Sequence, residues 1–233
     1  MSPPCPRGLF VTGTDTGVGK TQVATALASL MRDRGLMVQP RKPVESGCRR
    51  IDGRLVPADA LSLRTAAGLD VPLETICPYA LEPALSPERA AALAGLTLGL
   101  DELANGCRGG LGAADFLLVE GAGGFYSPLA PGVLNADLAA ALGLPVLLVA
   151  ADRLGTIGHT LLTVEAIERR GLELAAVVLN RIRPAGDPGM DNAADLSRWL
   201  GRSVIVSGYQ APTATTDGWR ALRPVLAALA ARL

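Results

Sequence analysis

Residues Gly13-Thr14-Asp15-Thr16-Gly17-Val18-Gly19-Lys20-Thr21 restrict what this chain can fold into more than any other stretch. Before them, Gly8-Leu9-Phe10-Val11-Thr12 reads as a buried parallel strand. After them, Gln22 to Arg34 reads as a helix with Val23, Ala26, Leu27 and Leu30 on one face. Strand, glycine loop and helix in succession aim backbone N–H groups and the positive end of a helix at one point, which makes a cradle for phosphate oxygens. In such a cradle Lys20 reaches the terminal phosphates and the Thr21 hydroxyl ligates magnesium. The loop holds five residues between Gly13 and Gly19, one more than the common phosphate loop.

The 233 residues, 49% of them hydrophobic, suffice for one substantial core, and no repeat or linker divides them, so a single domain over 1–233 is expected. Lys plus Arg and Asp plus Glu both number 22, and this balance argues against a nucleic-acid partner and for a small-molecule one. No signal-like or membrane-spanning apolar run is present, and the expectation is a cytoplasmic protein without a membrane partner. Cys5, Cys48, Cys77 and Cys107 are scattered, and with His159 as the one histidine they read as ordinary thiols rather than a zinc site.

Further along, Met37 to Arg41 reads as a short strand running into Lys42-Pro43-Val44-Glu45-Ser46-Gly47. Lys42 lies at that strand's carboxyl end, where open α/β sheets bind ligands, and it is either a second active cation or a solvated surface lysine. Arg49 to Val56 reads as a loop and Gly68 to Pro87 as an irregular, proline-rich connection. Asp59, near the start of a helix, reads from local context as a first-turn acid favoured by the helix dipole. Helices are expected from Pro87 to about Ala94 and from Leu100 to Cys107, the first with Ser86 as its N-cap.

The second informative stretch is Phe116-Leu117-Leu118-Val119-Glu120-Gly121-Ala122-Gly123-Gly124, an apolar strand ending in a carboxylate and glycines. Beside a phosphate loop, Glu120 is a candidate magnesium ligand. Pro145 to Ala150 and Ala175 to Asn180 are further buried strands, with a helix from His159 to Arg170 between them. His159 reads as a packed or hydrogen-bonded residue, and Asn180 as either a reader of a base edge or a loop cap. Beyond Arg181 a helix over Asp191 to Leu200, a strand over Val204 to Val206 and a terminal helix over Trp219 to Leu233 are expected.

Gly-Thr-Asp-Thr-x-Val-Gly-Lys-Thr at Gly13 to Thr21, Lys-Pro-Val-x-Ser-Gly at Lys42 to Gly47, Asp59-Ala60, Val-Glu-Gly-Ala-Gly-Gly at Val119 to Gly124 and Asn180 after a strand together resemble dethiobiotin synthetase. The resemblance runs from about Leu9 to Asn180. It implies a phosphate-loop NTPase-like α/β fold with a mostly parallel sheet and helices on both faces. It also implies a homodimer that joins 7,8-diaminononanoate and CO2 into dethiobiotin with ATP and Mg2+. By the same resemblance, Gly17, Val18, Gly19, Lys20, Thr21, Gln22, Asp59, Glu120, Gly121, Ala122, Gly123, Asn180 and Arg181 would bind ATP, and Thr21, Asp59 and Glu120 would surround magnesium. Lys20, Lys42 and Thr16 would act in catalysis, with Asn180 reading adenine. Thr16, Lys42, Ser46 and Gly158 would bind the substrate, and Gly121 and Gly123 would let backbone approach the ligand. Gly158 stands where relatives often carry asparagine, so the substrate's tail carboxylate is expected on backbone N–H groups at 155–159 of a partner subunit. A partitioning-type ATPase switch of the same superfamily is the alternative.

Overall fold

The computed structural model describes residues 7–182, 189–209 and 218–233. In chain order the elements are β1 (Gly8–Gly13), α1 (Lys20–Asp33), β2 (Met37–Arg41), β3 (Val44–Ser46), β4 (Arg49–Ile51), β5 (Arg54–Val56), α2 (Ala58–Ala67), α3 (Leu73–Ile76), β6 (Tyr79–Leu81), α4 (Pro87–Leu93) and α5 (Leu100–Arg108). Then follow β7 (Asp115–Glu120), β8 (Pro128–Ala130), β9 (Val133–Leu134), α6 (Asn135–Leu142), β10 (Val146–Ala151), α7 (Thr156–Arg169), β11 (Leu174–Asn180), α8 (Asn192–Leu200), β12 (Ile205–Ser207), a 3-10 turn (Gly218–Leu222) and α9 (Arg223–Ala230).

Six strands form one sheet in the order β12-β11-β10-β1-β7-β2, and every pairing in it is parallel. The alternation of side chains along a strand explains the two cores. Leu9 and Val11 of β1 join Val23, Leu27 and Met31 of α1 and Leu226 of α9 on one face, while Phe10 joins Leu103 of α5 and Leu138 of α6 on the other. Because both faces are covered, β7 and β10 read as unbroken apolar runs. With β1 between β7 and β10, the carboxyl ends of β1, β2 and β7 bring the glycine loop, Lys42 and Glu120 to one edge.

Several expectations are corrected. Residues 49–56 form an antiparallel hairpin of β4 and β5, and the proline-rich connection holds α3 and β6, the latter pairing with β3. Buried residues run all the way round α1 because it is wedged between the sheet, α2 and α9, and Met31 rather than Leu30 is fully enclosed. The helix expected from His159 begins at Thr156, which puts Gly158 inside its first turn and leaves His159 exposed rather than packed. The terminal helix opens as a 3-10 turn, and α9 starts with Pro224 in its first turn, where a missing N–H costs no internal bond. Cys5 lies outside the described residues, whereas Cys48, Cys77 and Cys107 are buried free thiols.

Candidate active site

The glycine loop leaves β1 at Gly13 and enters α1 at Lys20, with Gly19 left-handed at φ 95° as the N-cap. A side chain at Gly19 would place its Cβ 2.1 Å from Nδ2 of Asn180. That amide donates to the Val18 carbonyl at 2.9 Å, and its oxygen accepts from the Ser207 hydroxyl. Asn180 therefore braces the loop from the neighbouring strand ends. Asp15 caps the Thr16 N–H at 2.7 Å and pairs with Arg153 at 3.1 Å, and Lys20 Nζ donates to the Asp15 carbonyl at 2.9 Å.

A cavity of about 680 Å³ opens over the loop and is lined by Thr16, Gly17, Gly19, Lys20, Thr21, Gln22, Lys42, Ser46, Asp59, Glu120, Ala122 and Gly123. Most of the separated motifs thus meet in one concavity at the carboxyl edge of the sheet. Lys42, only 3% exposed, is not a surface lysine. Its ammonium lies 2.6 Å from Glu120 Oε1 and 2.9 Å from Asp59 Oδ2. Thr21 donates its hydroxyl to the same Glu120 oxygen at 2.8 Å. Asp59 sits in the first turn of α2, as the dipole argument expects, but its carboxylate also faces the ligand edge.

The electrostatics follow from burial and neighbours. Burial pushes Lys20 down to about 8, with the Lys42 charge adding to the effect. Burial would also lower Lys42, yet the Glu120 and Asp59 carboxylates hold it above the ordinary lysine range. Burial holds Glu120 above the usual carboxylate range against the pull of Lys42. Asp59 is held below its usual range by Lys42 and the Thr21 hydroxyl, which outweigh its burial.

Among the described residues no group of three or more His, Cys, Asp or Glu side chains could hold a metal ion. A divalent cation here must draw on two carboxylates, a hydroxyl and phosphate oxygens, the hard donors magnesium takes. Glu120 Oε2 is buried without a hydrogen-bond partner among the described residues, the Thr21 hydroxyl meets the other oxygen of that carboxylate, and Asp59 lines the same cavity. This donor set fits Mg2+.

Other expected site residues are not brought into the cavity. Arg181 is exposed and paired with Asp152 at 3.3 Å. Gly121 is not among the residues lining the cavity, and an added Cβ there would meet Asn135 Oδ1 at 3.0 Å and the Phe10 ring at 3.2 Å, so packing by itself calls for a small residue. Gly123 does line the cavity, and there a Cβ would strike Ser127 Oγ at 2.5 Å. Gly158 is exposed on α7, away from the cavity lining. Sequence reasoning missed Ser127 and Glu45, both in the lining. Glu45 is pushed up to about 7 by burial and by Asp59, and accepts from the backbone N–H groups of Asp59 and Ala60. It also missed Asn135, whose side chain holds the Ala122 N–H at 3.0 Å, although an Asn-x-Asp before an apolar run marks a helix start.

No helix among the described residues is long and apolar enough to cross a membrane. Residues 7–208 match the family described as an AAA domain. In overall fold the chain is similar to MinD in the MinC:MinD cell division complex of Aquifex aeolicus, with a TM-score of 0.61 over 97% of this chain and 95% of that one at 14% identity. The septum site-determining protein MinD complexed with Mg-ADP from Pyrococcus horikoshii OT3 gives 0.59 over 97% and 95% at 16% identity. These likenesses establish the phosphate-loop fold alone. In sequence the chain is 48% identical to the ATP-dependent dethiobiotin synthetase BioD of Anaeromyxobacter dehalogenans (strain 2CP-C), over 95% of this chain and 98% of that protein. It is 49% identical to the protein of the same name from Cellvibrio japonicus (strain Ueda107), over 75% and 76%. At these identities over most of both sequences, the chain belongs to the ATP-dependent dethiobiotin synthetase family of enzymes.

Proposed function

We propose that this protein closes the ureido ring of dethiobiotin from 7,8-diaminononanoate, CO2 and ATP, releasing ADP and phosphate, as one nucleotide-binding catalytic domain that works in the cytoplasm. The observation that carries the reading is the pair of buried lysines: Lys20 is 6% and Lys42 3% exposed, and both face the same cavity. Phosphoryl transfer needs positioning and charge neutralisation more than covalent help, and two enclosed cations supply both.

One substrate amine adds to CO2 and loses a proton, giving a carbamate. A carbamate oxygen then attacks the γ-phosphorus of ATP and ADP leaves, forming a carbamic-phosphoric anhydride. The second amine attacks the carbonyl carbon, phosphate departs with the former carbamate oxygen, the nitrogen loses its proton and the cyclic urea is complete. Lys42, anchored by Glu120 and Asp59, is placed to hold the carbamate, and Lys20 to neutralise the transferred phosphoryl. Thr16 and Ser46 orient the reacting end of the diamine, while the N–H groups of Gly17 to Thr21 hold the phosphates. Mg2+ bound by Thr21, Asp59 and Glu120 would neutralise charge on the phosphate oxygens. The second N–H of the Asn180 amide, without a partner among the described residues, would meet adenine, while its other contacts brace the loop.

The substrate's tail points out of the cavity, and backbone N–H groups in the first turn of α7 from a second subunit, around Gly158, receive its carboxylate. That arrangement makes a homodimer the working form. The test is to incubate the protein with diaminononanoate, bicarbonate, Mg2+ and ATP and to look for dethiobiotin by mass spectrometry, with Lys20→Ala as the inactive control. Absence of product, with ATP turnover that ignores the diamine, would overturn the reading and favour a regulatory ATPase.

A further inference from the structure

Helix α2 carries Asp59, yet its N-cap residue is Pro57, which offers no side-chain hydrogen bond. The N–H groups at the second and third helical positions, Asp59 and Ala60, are those an N-cap side chain ordinarily satisfies. Here they are met from elsewhere. Glu45 of β3 accepts from the Asp59 N–H through Oε1 at 3.0 Å and from the Ala60 N–H through Oε2 at 3.1 Å. The residue is 7% exposed, and its strand is fixed by pairing with β6, Glu45 lying opposite Ala80. A carboxylate at the positive end of a helix is favourable in itself.

Three residues before Glu45, Lys42 reaches Asp59 Oδ2 at 2.9 Å. The segment 42–45 therefore grips the start of α2 twice, once by the Asp59 side chain and once by the backbone beneath it. We propose that Glu45 is a positioning residue: it acts as a cap supplied from a distant strand and fixes the Asp59 carboxylate against Lys42 and Thr21, so that the magnesium site is set before the ion arrives. This rests on reading Thr21, Asp59 and Glu120 as the magnesium-binding set. Partners one step removed from a metal commonly change its affinity by roughly 10–100-fold when deleted.

The test is calorimetric titration of ADP with and without Mg2+, which does not depend on turnover. The wild-type protein is expected to bind ADP more tightly with Mg2+. Glu45→Ala should lose about tenfold of that magnesium-dependent gain while its metal-free ADP affinity stays within about twofold. Glu45→Gln, which keeps the volume and one acceptor, should lose less. Adding Pro57→Asp to Glu45→Ala should restore much of the gain, because the extended backbone at 57, φ −77° and ψ 102°, suits a local cap that reaches the same two N–H groups. An unchanged magnesium gain in Glu45→Ala overturns the inference, as does an equal loss of ADP affinity with and without the ion. Should Glu45→Ala not fold, a Glu45→Gln protein with a full magnesium gain refutes it as well. A wild-type protein that binds ADP equally well with and without Mg2+ overturns the metal assignment itself and this inference with it, an outcome distinct from the first two.

Discussion

Replacing Lys42 by methionine preserves most of the buried volume and removes the cation that bridges Glu120 and Asp59. The two acids then fare differently. The Asp59 side chain is 35% exposed and can be solvated, whereas the Glu120 side chain is 1% exposed and cannot. A carboxylate left unpaired in such a place takes up a proton rather than stay charged. Holding a carboxyl neutral at pH 7 when its ordinary value is 4.5 costs 1.36 kcal/mol per pH unit, so the penalty is capped at about 3 kcal/mol. The sign of the pH dependence follows. Glu120 of the variant has a folded-state pKa raised above the unfolded one, so its stabilisation is full below about 4.5 and is lost as pH rises towards the folded value.

Relative to wild type, where burial already raises Glu120 against the pull of Lys42, Lys42→Met should thus show a deficit of at most about 3 kcal/mol at pH 7 that shrinks by up to ~1.4 kcal/mol per unit as the pH is lowered towards 5. Urea melts of both proteins between pH 5 and 8, in chelator, measure it directly. Adding Mg2+ should recover part of the deficit at pH 7, since the ion replaces the missing charge. The absence of any deficit between pH 5 and 8 would show that Glu120 is not held by Lys42 in the way the 2.6 Å contact implies.

Gly19→Ala should lower stability by roughly 2–3 kcal/mol and weaken ADP binding, since it adds left-handed strain at φ 95° to the loss of the Asn180 brace; an unchanged urea midpoint would contradict this. Burial pushes Cys48 to about 11 and Cys107 to about 12, and raises Cys77 too, so in a Cys5→Ser background native protein should resist iodoacetamide at pH 8 and react at all three thiols in urea. Lys20 lies near 8 without nucleotide, and bound phosphates raise it, so ADP binding near pH 8 should take up about half a proton and near pH 6 almost none; calorimetry in buffers of different ionisation enthalpy that shows no uptake at pH 8 would refute the shift. If the tail carboxylate rests on backbone N–H groups of α7, Gly158→Pro should raise the diamine requirement without altering ADP affinity, measured by steady-state kinetics and titration.

The central sheet was legible because buried parallel strands announce themselves as apolar runs. β2 begins and ends at Met37 and Arg41 as read, and β7 and β11 end at Glu120 and Asn180 as read. The hairpin of β4 and β5 was not legible, since Arg49, Arg50 and Arg54 are exposed and give the segment no alternation of burial. Lys42 cannot be decided from local context, and Asp59 reads there as an ordinary helix-start acid, because what distinguishes each from a surface residue is the other, across 2.9 Å. The part played by Glu45 was hidden for the same reason, its partners lying in a helix that follows β4 and β5. Asn180 reads in sequence as either loop cap or base reader, and its contacts with Val18 and Ser207 brace the loop while one amide N–H has no partner among the described residues.

The bond from Asn180 to the Val18 carbonyl has a consequence for the speed and strength of nucleotide capture. A free loop between Gly13 and Lys20 would have to be frozen when the phosphates arrive, at a cost of roughly 1–2 kcal/mol of backbone entropy for each residue fixed. Tied to β11, and through Ser207 to β12, the loop is already ordered by contacts made during folding. Binding energy gained from the phosphates is then not consumed in ordering the receptor. Association should follow single-step kinetics with no slow isomerisation, and loosening the brace should appear first as a slower, two-phase approach to the bound state.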